Sequence, residues 1–180
     1  MPRYAAFLRA INVGGRRIAG AALCAPFEQM GFDAVQSFRA SGNVIFDGGR
    51  EPREKLAARI EQGLADSLGY EVVVFLRTAA EMLALAERQP FPADVVQRSN
   101  GKLQVALLLD KPAKRVQADV MMRATDADRL AFGVRELYWL PSGGMADSEL
   151  DMKTIDRLVG PMTMRTQGTI EQVAARYFTD

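Results

Sequence analysis

Val35-Gln36-Ser37-Phe38-Arg39-Ala40-Ser41-Gly42-Asn43-Val44-Ile45-Phe46 reads as two brief strands, Val35–Ala40 and Asn43–Phe46, pivoting at Ser41-Gly42. A serine-glycine pair between apolar runs is a hairpin signal, since glycine takes the backbone angles a tight reversal needs. Upstream, Tyr4–Ala10 reads as a strand and Ile11 to Arg17 as a loop demanded by Gly14 and Gly15. Ala19–Met30 then carries Leu23, Phe27 and Met30 at helical spacing and stops at Gly31, although Pro26 counts against a straight helix. Downstream, Pro52 opens a helix whose Leu56, Ile60, Leu64 and Leu68 share one face up to Gly69. Glu71–Leu76 is apolar enough for a buried strand. Residues 1–76 therefore spell βαββαβ.

Residues 77–180 carry the same theme without repeating the sequence. Thr78 and Glu81 form a capping box for a helix to about Glu87, which Pro90-Phe91-Pro92 breaks. A polar bridge ending Ser99-Asn100-Gly101 leads into a strand at Lys102–Leu109, and Pro112–Met122 follows as a helix. Leu130–Val134 and Glu136–Leu140 form a second strand pair, Ser148–Val159 a helix closed by Gly160-Pro161, and Thr169–Tyr177 a last helix. The most economical architecture is α+β, two fused ferredoxin-like (alpha-beta plait) halves, with domains at 1–76 and 77–180. No low-complexity linker separates them.

Composition removes many functions. The 180-residue chain has no histidine and one cysteine, Cys24, so histidine triads, Cys–His pairs and the usual zinc sets are excluded. Any side-chain base near neutral pH has to be a shifted carboxylate, lysine or tyrosine. Neither a cofactor nor a metal is expected. Cys24 lies in an apolar helical stretch and reads as a buried small hydrophobe, and a lone cysteine fits a reducing compartment. Basic and acidic side chains balance at 23 and 22, which argues against duplex DNA as a partner, because phosphate neutralisation drives such binding. The longest apolar runs, Val105 to Leu109 among them, are far short of the ~20 residues of a membrane helix. Arg9 interrupts the apolar start before a signal-peptide core forms, so the reading is cytoplasmic, with no membrane partner.

Three segments carry polar groups in suggestive patterns. Asn12-Val13-Gly14-Gly15 joins a strand to a helix, where backbone N–H groups and the helix dipole attract anions, and Arg16 and Arg17 add cations at its rim. A plain strand-to-helix turn also uses glycine, and the P-loop spacing is absent. Arg39 to Phe46 partly matches the RNA-recognition octamer, but Ser41 and Asn43 stand where the stacking aromatics belong. Period-two alternation puts Arg39, Ser41 and Asn43 on one sheet face, shared by Arg9, with Val44 and Phe46 toward the core. That face is expected to be open and nearly bare of aromatics. Pro161 to Thr169 reads as a polar turn in which Arg165 can clamp a ligand, while capping alone explains most of it. Ser142-Gly143-Gly144 reads as a simple turn, and Glu149 and Asp151 as helix-opening acids with no catalytic pairing.

Phe7 to Gly15, Ser41 to Phe46 and Thr163-Met164-Arg165 ahead of Thr169 together resemble the bacterial domain of unknown function 1697 family. The family pattern has Leu-Arg-Gly-Ile-Asn-Val-Gly-Gly where this chain has Ala10, Gln-Ser-Gly-Asn where it has Ala40, and Arg-Asn-Trp where Thr166 and Gln167 follow Arg165. The resemblance implies a two-part α/β plait fold and no particular activity.

These readings converge on a binding module for an anionic small molecule, a nucleotide phosphate or an RNA end. Its expected ligand groups are Arg9, Asn12, Gly14, Gly15, Arg39, Ser41, Asn43 and Arg165. Two alternatives stay open. One is a histidine-independent enzyme on a phosphorylated or acylated substrate, for which Asp47 is the only carboxylate adjoining the second segment. In the other, the same polar groups form a structural seam between the halves and bind nothing. Sequence leaves open whether the protein is an enzyme, and its oligomeric state.

Overall fold

The computed structural model describes residues 1–11, 14–39 and 42–179. The chain divides into two compact units, residues 1–85 with 172–180, and residues 86–171. The division falls inside a helix that follows the first sheet, some residues beyond the 76/77 boundary expected from sequence.

The first unit contains β1 (Arg3–Arg9), α1 (Gly20–Gln29), β2 (Asp33–Ser37), β3 (Asn43–Asp47), α2 (Arg53–Leu68) and β4 (Val73–Thr78). Its sheet runs β2-β3-β1-β4 with every pairing antiparallel. Alternation sends Ala6, Leu8, Val44, Phe46, Val74 and Leu76 to the face covered by both helices. There Leu23 and Phe27 of α1 and Leu56, Ile60 and Leu64 of α2 are fully buried. Each such side chain contributes about 1.5–3 kcal/mol. Pro26 sits within α1, which ends with Gly31 at φ 81°, and α2 ends on left-handed Gly69, whose N–H donates to Ala65 O at 2.9 Å. Cys24 is half-buried, its Sγ 3.6 Å from Gly20 O.

The other face of this sheet corrects a sequence expectation. Phe7 pairs with Asn43 on one side and with Phe75 on the other, and Ala5 with Ile45 and Arg77, so these residues share a face. All are buried, and two are aromatic. The face is neither open nor bare of rings. The reason is that β1 and β4 are apolar on both parities, so both sheet faces are withdrawn from water.

α3 (Ala79–Glu87) follows directly, and its capping box forms as expected: Thr78 N donates to Glu81 Oε2 at 2.8 Å and Glu81 N to Thr78 Oγ1 at 3.3 Å. The second unit holds α4 (Ala93–Arg98), β5 (Gln104–Leu108), α5 (Lys114–Met121), β6 (Asp128–Phe132), β7 (Glu136–Pro141), a 3-10 turn at Met145–Asp147, α6 (Met152–Val159) and β8 (Met162–Thr166). α7 (Gln167–Tyr177) begins there and finishes in the first unit. The sheet runs β6-β7-β5-β8, again antiparallel, so each unit has the strand order of a ferredoxin-like plait. The protein is α+β.

Here the structure departs from the sequence reading at three places. Residues 162–166, expected as a turn, are the edge strand β8 paired along β5. α6 starts at Met152, because Asp151 caps it by accepting from Thr154 N at 3.0 Å. The bridge after Pro92 contains the short α4. Among the described residues, no helix is long and apolar enough to cross a membrane.

Candidate functional site

The end of the first sheet where β1 exits is built from two loops and a helix start. Ala10 turns the chain out of β1 at φ 70°, and buried Ile11 follows, its carbonyl accepting from Tyr70 Oη at 3.1 Å. Gly14 and Gly15 lie at φ 66° and 81°, both exposed, with open space where a Cβ would stand. Arg16 is exposed, its guanidinium 4.3 Å from the Tyr70 ring centre. The loop ends in α1, whose N-terminus no side chain caps. A Cβ on Gly20 would come within 2.5 Å of Ser37 Oγ, and one on Gly42 within 3.2 Å of Leu8 O and 3.6 Å of Ile11 Cγ1. The β1–α1 loop and the β2–β3 hairpin are thus held against each other.

Three of the expected residues in this region differ sharply in setting. Arg39 is exposed at φ 58°, its Nη2 donating to Gln172 Oε1 at 2.6 Å with its guanidinium 5.2 Å from the Phe38 ring centre. Asn43 is 1% exposed and faces the chain itself: its Nδ2 donates to Phe38 O at 3.0 Å, while Phe38 N donates to Asn43 O. It holds the hairpin closed. Arg9, half-buried at the end of β1 opposite Val73, is engaged within the protein. Asn12 and Ser41 lie outside the described residues.

Arg16 and Arg39 have no carboxylate partner among the described residues. Their neighbours are neutral: an amide oxygen and aromatic rings. Two exposed, uncompensated guanidinium groups, an uncapped helix N-terminus and outward-turned glycines are a combination suited to an anion.

Arg165 belongs to the second unit, on the face of β8 that pairs with Val105. Its Nη1 donates to Thr163 Oγ1 at 2.9 Å and Met164 O at 2.8 Å, and burial pulls its pKa down to about 10. The feature sequence reasoning missed lies in the same unit. Trp139 Nε1 and Ser148 Oγ both donate to Asp128 Oδ1, at 2.8 and 2.7 Å, and Leu150 N donates to Ser148 Oγ at 3.1 Å. Around this bracket is a hollow of 520 Å³ reaching Ser142, Gly143, Asp147 and Asp151. A buried aspartate two residues off the facing tryptophan across a hairpin was its one sequence signal. Asp151, the α6 cap, is held below its ordinary carboxyl range, first by the Thr154 hydroxyl and then by the Thr154 N–H. Among the described residues, no group of three or more Cys, Asp or Glu side chains is arranged to hold a metal ion.

Residues 1–138 match the family model described as "Protein of unknown function (DUF1697)". The chain belongs to the DUF1697 family. The match takes in the whole strand set of the first unit and, in the second, runs into β7. It stops short of Arg165. A solved structure, "The structure of conserved bacterial protein SP0830 from Streptococcus pneumoniae", is similar to this DUF1697 chain at 22% identity and a TM-score of 0.70, covering 97% of each chain. That likeness concerns the fold. No curated protein matches the chain.

Proposed function

We propose that this DUF1697 protein is a cytoplasmic binding module whose first unit takes an anionic group: the phosphate of a small molecule or nucleotide, or of an RNA end. The observation that carries this reading is the pair of exposed guanidinium groups, Arg16 and Arg39, without a carboxylate partner among the described residues, at the loop end that also holds the uncapped α1. Forked N–H groups match phosphate oxygens, and backbone N–H groups at Gly14 and Gly15 supply further donors. Asn43 acts by keeping the hairpin closed, and Arg9, Asn12 and Ser41 are the remaining expected ligand groups. Arg165, carried by the second unit, is a further expected ligand group. Charge-assisted bonds of about 1.5–3 kcal/mol each, offset by the cost of ordering a small ligand, put the expected Kd near 0.1–1 mM at low salt.

The test is calorimetry with inorganic phosphate, AMP and a 5′-phosphorylated RNA tetranucleotide. At least one should bind more tightly than about 1 mM, weaken with added salt, and lose about fivefold or more in Arg39→Ala and in Arg16→Ala. Absence of binding by all three overturns the reading. A second reading rests on the 2.6 Å bond from Arg39 to Gln172, which ties α7 to the hairpin and gives Arg39 a purely structural use. In that case Arg39→Ala lowers the melting temperature, and there is no phosphate-dependent stabilisation to lose.

A further inference from the structure

We infer that the hollow on the second unit is a site for an aliphatic ligand carrying more than one ammonium group, a diamine or polyamine, with Asp128 as its buried anchor. Asp128 is 6% exposed and lines the hollow. Its Oδ1 takes both donors, the Trp139 indole and the Ser148 hydroxyl, while its Oδ2 accepts no hydrogen bond among the described residues. That oxygen is not one of the fully buried unpartnered atoms, and its residue lines the hollow. A carboxylate oxygen in a largely desolvated wall is a strong attractor for a donor-bearing cation, because the surrounding protein screens less than water does.

The walls agree in sign. Asp128, Asp147, Glu149 and Asp151 face the hollow against one guanidinium, that of Arg123. Arg123 and Arg157 already act on Asp151, which leaves the charges of Asp147 and Glu149, both exposed, at the rim. Among the described residues, these carboxylates do not group as a metal site would require. Several single negative charges lining one hollow together with apolar Pro141 and Leu150 suit ammonium groups joined by methylene segments. The 520 Å³ volume lies within the roughly 300–1,000 Å³ usual for small-molecule pockets. This inference is independent of the anion reading, which concerns the first unit and the opposite charge.

Trp139 is the only tryptophan, and it shares Asp128 Oδ1 with Ser148, so intrinsic fluorescence of the full chain reports directly on the anchor. Titration with spermidine is expected to give a saturable change with a Kd of about 0.1–1 mM. Magnesium chloride at equal charge should not reproduce it. Asp128→Asn keeps an acceptor for the indole and the hydroxyl and puts an NH₂ in place of Oδ2; affinity should fall about tenfold or more. The double variant Asp147→Asn/Glu149→Gln changes exposed rim groups only and should weaken binding roughly three- to tenfold with an unchanged melting temperature. It decides the matter if Asp128→Asn does not fold. The inference is overturned by any of three results: no saturable change up to about 10 mM spermidine, undiminished affinity in the variants, or a magnesium response equal to that of spermidine.

Discussion

Gly101 and Gly143 lie in loops that touch, yet they should respond to alanine in opposite ways. A Cβ on Gly101 would stand 2.6 Å from Gly143 O and 2.8 Å from the Pro141 carbonyl carbon, and closer still to Pro141 O. These are backbone atoms, so no side chain can swing aside to relieve the overlap. Neither glycine has a positive φ, which makes the comparison purely steric. Overpacking of this kind costs about 1–3 kcal/mol. Separating the loops also breaks the bond from Ser99 Oγ to Pro141 O, 2.6 Å long, for roughly another 0.5–1.5 kcal/mol. Gly101→Ala should therefore lose about 2–4 kcal/mol. At Gly143 a Cβ meets nothing within 4 Å, and Gly143→Ala should be neutral or slightly stabilising through the unfolded chain. Urea unfolding followed by circular dichroism measures both, with an expected fall in midpoint of about 1–2 M for Gly101→Ala alone. A loss below about 0.5 kcal/mol at Gly101, or equal losses at the two sites, refutes the close approach of these loops.

Ala10→Gly should stabilise the protein by about 0.5–1 kcal/mol, because Ala10 bears a Cβ at φ 70°; an unchanged or lower thermal midpoint counts against that backbone. Thr78→Ala removes the hydroxyl that accepts from Glu81 N and should cost about 1 kcal/mol in chemical denaturation, with a cost near zero excluding a formed capping box. Burial holds the folded Arg165 guanidinium near 10 while the unfolded chain keeps the higher arginine value, so above pH 10 the unfolded state binds more protons and this site favours folding increasingly as pH rises. The stability of Arg165→Met relative to wild type should accordingly be flat below pH 9 and decline as pH passes about 10; a flat difference to pH 11 would show that the guanidinium is well solvated.

The first unit was readable because its apolar spacing, glycine stops and Ser41-Gly42 reversal all pointed the same way. The second was harder for identifiable reasons. β8 is an edge strand whose Met-Thr-Met-Arg-Thr composition carries little strand signal; pairing with β5 makes it a strand. Ser148 looked like the start of α6, but its hydroxyl is committed to Asp128, and the cap falls to Asp151. The site was legible as residue types and only partly as surroundings. Arg39 and the glycines are exposed, whereas Asn43 is turned inward by the hairpin it closes, a choice that alternation cannot foresee. Ala10 stands where the family pattern has glycine, and its left-handed backbone gives that pattern a physical reason.

α7 starts in one compact unit and ends in the other, and Gln172 and Tyr177 supply the acceptors for Arg39 and Arg3. During translation, residues 1–85 leave the ribosome long before those acceptors exist, and the entire stretch 86–171 emerges in between. A segment made before the second unit is consequently completed only after it. Until then its hairpin arginine waits on a nascent chain without the group that will hold it.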